Sequence, residues 1–231
     1  MKIKYDFHIH SGLSPCADDD MTPVTIVGYS AVSGIDMVAI ADHNAIANVK
    51  VAMMAGEAYG VVVVPAIELQ TTEDIHILCL FRTYTDLEAF YNSLEFVIID
   101  NKVDIFGNQN VYDEDDEIIG TEKRLLLTSA KIASYEVKNR VEEYGGIAIP
   151  AHIDRESNSM LFTLGAITEE FDIVELSTKA DEDFIKEYEK SYRIIIDSDA
   201  HTLDGISVRS EMELTERSID GLWKYLKGDK T

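Results

Sequence analysis

Tyr5-Asp6-Phe7-His8-Ile9-His10 is the stretch whose reading decides the fold. Lys2, Lys4, Asp6, His8 and His10 alternate with Ile3, Tyr5, Phe7 and Ile9, the period-two pattern of a strand with two unlike faces. His8 and His10 therefore share a face, about 7 Å apart along the strand, where two imidazoles can turn onto one metal ion. Taken alone the motif is short, and ordinary surface or core histidines also produce it.

The other four histidines extend the pattern. His43 follows Met37-Val38-Ala39-Ile40-Ala41-Asp42, His76 opens Ile77-Leu78-Cys79-Leu80-Phe81, His152 follows Gly146-Ile147-Ala148-Ile149-Pro150-Ala151, and His201 ends the run from Arg193 to Ala200. Glu68 closes another apolar run, Val61 to Ile67. Histidines set by surface composition would scatter into helices and acidic loops. These do not, and the constellation reads as a polynuclear metal site.

The 231 residues suffice for one barrel-sized domain, read here as 1–231 with an irregular acidic excursion at about 101–128. The excursion centres on Asp113 to Glu117, which reads as a solvated loop. Hydrophobic residues make up 46% and charged residues 27%, an ordinary globular balance. No apolar run is long enough to span a membrane. Met1 leads directly into a strand without a signal-peptide pattern, and two cysteines, Cys16 and Cys79, fit a reducing compartment. A cytoplasmic location is expected. The net charge of -23 should repel phosphate backbones, so no stable nucleic-acid complex is expected. Oligomeric state is left open.

Helices are expected after Thr22-Pro23 with Gly34 as the stop, over about 45–58 with Gly60 as terminator, and from a Thr85/Glu88 capping box to about Ile99. Others are expected with Ser134 as cap and Gly145-Gly146 as stop, over Ser159–Leu164, over Asp181–Tyr188, and over Ser218–Lys227 before Gly228. Strands are expected at 2–10, 36–41, 61–67, 75–81, in the run Gly146 to Ala151, and at 171–176 and 193–196. Seven strands alternating with helices argue for a parallel α/β fold. Ligand-type residues at the ends of most strands favour a closed barrel over an open sheet, whose site would draw on few strands.

With His8-x-His10, Asp42-His43, Glu68, His76, Pro150-Ala151-His152 and Asp199-x-His201 in this order and strand context, the chain resembles the polymerase and histidinol phosphatase (PHP) family along essentially its whole length. The resemblance implies a distorted seven-stranded (βα)7 TIM-like barrel holding two to three divalent metal ions. It implies His8, His10, Glu68 and Asp199 on one metal, Glu68 bridging to a second held by His76 and His152, and His43 with His201 on a third. The loop after His10 departs from the family pattern: Cys16 has the better spacing to complete the third site, Asp18 the commoner chemistry, with Asp19 and Asp20 beyond. Zn, Mn or Fe would each suit a mixed imidazole and carboxylate site.

Such a cluster suits phosphate ester hydrolysis, with Glu68 and Asp199 at its centre. Arg155, three residues past His152, is expected to bind phosphate oxygens, with Lys179 as a second cation. Asp42 or Asp197 could orient an imidazole or move a proton. The leading expectation is a metal-dependent phosphoesterase acting on a small phosphorylated metabolite or nucleotide. A carbon-nitrogen hydrolase and a non-catalytic metal-binding regulatory module are the alternatives.

Overall fold

The computed structural model describes residues 1–209 and 211–228. β1 (Lys2–Ile9) leads through a loop to α1 (Pro23–Val32), β2 (Met37–Ile40) and α2 (Val49–Tyr59). β3 (Val62–Val63), β4 (Ala66–Gln70) and β5 (His76–Leu80) follow, then α3 (Tyr84–Asn92). The excursion carries α4 (Val103–Phe106), β6 (Asn110–Tyr112) and β7 (Ile118–Thr121). Beyond it come α5 (Ser134–Glu143), β8 (Ile147–Pro150), α6 (Met160–Leu164), β9 (Ile173–Ser177) and α7 (Glu182–Tyr188). β10 (Arg193–Asp197), a 3-10 turn at Leu203–Gly205, β11 (Glu211–Glu213) and α8 (Ile219–Lys227) complete the described chain. No helix is long and apolar enough to cross a membrane among the described residues.

The fold is mixed α/β, but its ladders do not close into the expected parallel barrel. β1 lies between parallel β2 and antiparallel β11, with β3 beyond β2, while β9 and β10 pair in parallel. β4, β5 and β8 form a separate sheet that is antiparallel throughout. Isolated bridges link these pieces, Ile9 to Ala200 and His43 to Glu68, and Ile153 donates its N–H to the Glu175 carbonyl at 3.0 Å. Two physical causes account for the departure. Pro65 has no N–H to extend a ladder, and it splits the apolar run 61–67 into β3 and β4. Only five residues join β4 to β5, where a parallel crossover needs a dozen or more.

Ile3, Tyr5 and Phe7 pack with Met37, Leu78, Leu80, Ile149 and Ile195, and Leu222, Trp223 and Leu226 of α8 join the same core. From Tyr5 onward the polar face of β1 is buried too, because Asp6, His8 and His10 turn into the molecule. Other boundaries move for local reasons. α2 begins at Val49 because Asn44 takes a left-handed backbone (φ 48°), and its amide donates to the Leu126 and Thr128 carbonyls at 3.0 and 3.1 Å. Thr83, not Thr85, caps α3 by accepting the Asp86 N–H at 3.1 Å. α3 stops at Asn92 because residues 95–101 instead run antiparallel to 123–131, with Leu125 N–H to Ile99 O at 2.7 Å. Ser134 is the first residue of α5 rather than its cap. The acidic run is the turn of the β6–β7 hairpin, and Asp116 within it caps α1 by accepting the Val24 and Thr25 N–H groups, each at 3.0 Å.

Candidate metal centre

All six histidines of the chain meet in one cluster, with neighbouring ring centroids 4.3 to 6.4 Å apart. β1 supplies His8 and, one residue past its end, His10; His43, His152 and His201 follow β2, β8 and β10, and His76 opens β5. Glu68 stands at the centre, 1% exposed. Its Oε1 lies 2.8 Å from His76 Nδ1 and 3.2 Å from both His8 Nε2 and His152 Nε2. Its Oε2 lies 2.7 Å from His43 Nδ1 and 3.5 Å from His10 Nε2. Asp199 Oδ1 faces His10 Nε2 at 2.9 Å and His8 Nε2 at 3.6 Å, and its Oδ2 takes the Arg155 guanidinium.

Three ligand sets, His8/His10/Glu68, His43/Glu68/His76 and His10/His43/His201, each bring their donor atoms within 4.8 Å of one another. The atoms fit a cation better than they fit each other. His8 Nε2, His43 Nδ1 and Glu68 Oε2 are buried without a hydrogen-bond partner, although His43 Nδ1 and Glu68 Oε2 are only 2.7 Å apart. What fails is direction: the lone pairs converge on shared space. Unmet buried groups cost about 1–3 kcal/mol each, a cost that a cation among them would remove. His152 and Asp199 add strain, holding φ of 33° and 49°, where non-glycine residues cost about 1–3 kcal/mol and cluster at functional sites.

Electrostatics follow from this convergence. Burial raises the Glu68 carboxyl, but His76, His8 and His43 outweigh it and hold the group well below the usual range. Asp199 is likewise well below, burial being outweighed by His8 and His10. Burial lowers His8, yet Glu175, Glu68 and Asp199 leave it well above an ordinary imidazole, whereas burial with His201 and His43 takes His10 well below. Burial raises the Cys16 thiol, but hydrogen bonds with His201 and His43 leave it lowered to about 7.

The expected residues therefore assemble, with distinctions. Cys16, not Asp18, stands with His43 and His201; Asp18 is exposed and meets His201 only through its backbone N–H, 2.9 Å from the His201 carbonyl. Asp19 is engaged elsewhere, by the Asn108 amide at 2.8 Å. Arg155 borders an open depression of about 370 Å³ with Gln70, Leu127, Ser157 and Asn158. Lys179 is exposed and takes no part in that lining. Asp42 does not touch an imidazole directly: Ser14 Oγ donates to it at 2.7 Å and meets His10 Nδ1 at 3.0 Å. Asp197 accepts the Phe7 N–H at 2.7 Å. The residue the sequence reading missed is Glu175, buried, with both oxygens 3.0 Å from His8 Nδ1. Its signal was a lone carboxylate inside the apolar run Ile173-Val174-Glu175-Leu176.

No family model matches the chain. Over 124 residues it is 29% identical to a 5'-3' exoribonuclease of Haemophilus influenzae, covering 49% of this chain and 44% of that protein. Its structure is similar to that of Endonuclease Q, a lesion-specific endonuclease from Pyrococcus furiosus, with a TM-score of 0.70 and 21% identity over 99% of this chain and 56% of the other. A complex of Endonuclease Q with a 27-mer duplex carrying an abasic lesion gives a TM-score of 0.67 at 18% identity, over 99% of this chain and 57% of that one. A candidate metal-dependent phosphoesterase from Bifidobacterium adolescentis gives 0.60 at 16% identity, over 86% of this chain and 88% of that one. The fold is thus the one shared by Endonuclease Q and this candidate phosphoesterase. The chain spans about half the length of the exoribonuclease and of Endonuclease Q.

These likenesses overturn one expectation. A small phosphorylated substrate without any nucleic-acid complex conflicts with a fold shared with an enzyme crystallised on duplex DNA. The inference from net charge failed because charge far from a site is screened beyond about 8 Å at physiological salt. The formal count also treats every histidine as neutral.

Proposed function

We propose that the chain is a metal-dependent phosphodiesterase that cleaves a nucleic-acid strand. The observation that carries the reading is the gathering of six imidazoles, Glu68 and Asp199 in one cluster, in which His8 Nε2, His43 Nδ1 and Glu68 Oε2 have no hydrogen-bond partner. The likenesses to a nuclease fold and to an exoribonuclease support the substrate class. In this reading His8, His10, Glu68 and Asp199 hold one ion, Glu68 with His76 and His152 a second, and His43, His201 and Cys16 a third. The two to three ions would be Zn, Mn or Fe. When bound, they supply Lewis acidity, which activates a water near neutral pH and offsets charge on the phosphoryl group.

The chain's own residues do the remaining work. The two oxygens of Glu68 face different imidazoles, which suits a bridging carboxylate. Arg155, its side chain 37% exposed, is placed to bind a phosphate oxygen at the rim of the depression. Asp199 holds that guanidinium in line with the cluster. The opening accepts a strand passing across it, with Gln70, Ser157 and Asn158 as further polar contacts.

The test is to load the protein with Mn²⁺ or Zn²⁺ and offer end-labelled single-stranded DNA, RNA and an abasic duplex beside p-nitrophenyl phosphate and an amide panel. Shortened strands, lost on chelation and in Glu68→Gln, are expected. Amide hydrolysis without strand cleavage, or monoester hydrolysis alone, would overturn the proposal.

A further inference from the structure

Behind His8, on the side away from Glu68, stands a second carboxylate. Glu175 lies mid-way along β9, 0% exposed, and both its oxygens are 3.0 Å from His8 Nδ1. The other ring nitrogen, Nε2, faces Glu68 Oε1 at 3.2 Å. A carboxylate only accepts, so the proton of a neutral ring belongs on Nδ1 and the Nε2 lone pair is left for the centre.

The other anchored rings differ. His10 Nδ1 meets the Ser14 hydroxyl, whose one proton goes to Asp42, so this oxygen accepts from Nδ1–H and sets a tautomer without carrying charge. His201 Nδ1 meets the Asp199 carbonyl at 2.8 Å, which sets a tautomer but carries no charge. Among the described residues, His8 alone is backed by an anion outside the cluster. Among the described residues no lysine or arginine pairs with Glu175. Asp6 and Asp197 are also fully buried, and Asp197 ends the neighbouring strand β10. For packing alone this is a poor choice, since a buried ion pair is often no better than a hydrophobe of similar volume.

Resting on the metal-centre reading above, we infer that Glu175 is a positioning residue: it fixes His8 as the Nδ1–H tautomer and strengthens Nε2 as a metal donor, at the expense of the metal-free fold. Carboxylates behind metal-bound imidazoles generally act in this way.

Two variants of the full chain test it. Glu175→Met removes the charge and the hydrogen bond; Glu175→Gln keeps the shape and an acceptor and removes only the charge, which keeps the test valid if the first variant fails to fold. The readouts are Zn²⁺ affinity by chelator competition, melting of the metal-free protein, and the ¹⁵N shifts of the His8 ring. Glu175→Met should bind its tightest Zn²⁺ about 10–100-fold more weakly, with Glu175→Gln in between. The metal-free Glu175→Gln protein, which still offers His8 an acceptor, should melt no lower than wild type, whereas Glu175→Met leaves the His8 Nδ1–H unmet and should melt lower; the His8 shifts of the wild type should report a protonated Nδ1. Unchanged affinity in both variants would sink the inference while leaving the metal centre standing. So would an affinity loss in Glu175→Gln matched by an equal loss of its metal-free stability, the mark of a purely structural residue. A wild-type protein that takes up no Zn²⁺ would overturn the metal reading itself, and Glu175 with it.

Discussion

The carboxylate of Asp116 accepts the backbone N–H of Val24 at 3.0 Å, from 92 residues further along the chain. It also takes the Thr25 N–H and hydroxyl, each at 3.0 Å, and the Thr22 hydroxyl. Thr22 itself makes no side-chain cap to α1, so the unpaired donors of the helix start are met by the acidic turn. An anion there also complements the helix dipole. The hairpin is thereby tied to the helix that follows the His10 loop.

Asp116→Ala should therefore destabilise the fold by about 1 kcal/mol, within the range of about 0.5–2 for a lost cap. Glu114→Ala, in the same turn but exposed, should stay within about 0.5 kcal/mol of wild type. Chemical denaturation of the two variants side by side decides it. Equal stabilities would return the whole run to the role of a solvated loop.

Glu68→Gln should lose metal and strand cleavage together while the protein stays folded. Both oxygens of Glu68 face imidazoles on different sides, and a neutral amide replaces one of the two acceptors with a donor. Elemental analysis of the purified variant should show at least one equivalent fewer than wild type. Full metal content with wild-type turnover would remove Glu68 from the bridging position.

The site was more legible in the sequence than the fold that carries it. Histidines and a glutamate at the ends of apolar runs are a chemical pattern, and chemistry of that kind survives errors in strand direction. The side chains of the six histidines, Glu68 and Asp199 meet in one cluster, although β4, β5 and β8 are antiparallel. The direction of β5 is written in the short connection after Gln70, too brief for a parallel crossover, but the alternating strand-helix pattern around it points the other way. Contacts between residues far apart in the chain were less accessible. Asp116 on α1 and Glu175 on His8 are separated from their partners by 92 and 167 residues, and no local periodicity reports such pairs. β11 is three residues long, too short for a period-two signal.

Cys16→Ser should lose close to one equivalent of metal and Asp18→Asn none, because Cys16 lines the depression beside His43 and His201 and Asp18 does not. The thiol offers a second readout. Held near pH 7 by those histidines, Cys16 in the metal-free protein should react with iodoacetamide at a rate that climbs through pH 7, since the thiolate is the reacting form. Cys79, buried and pushed far up by burial, should stay unmodified. Added Zn²⁺ should protect Cys16. Equal alkylation with and without metal would place the thiol outside the coordination shell.

Arg155 has two partners to satisfy, and they make different demands. Its guanidinium is paired with Asp199, and with the guanidinium side chain itself 37% exposed the pair adds little to stability after solvent screening. With a strand bound, the fork can instead share a phosphate oxygen pair at the rim of the depression. Arg155→Ala should therefore leave metal-free melting nearly unchanged and lower kcat/KM for strand cleavage by about 1.5–3 kcal/mol, the usual size for a charge-assisted hydrogen bond. Arg155→Lys should recover only part of the loss, because an ammonium restores the charge without the planar fork. If the alanine variant cleaves oligonucleotides as well as wild type, the guanidinium serves Asp199 alone and substrate phosphate is held elsewhere.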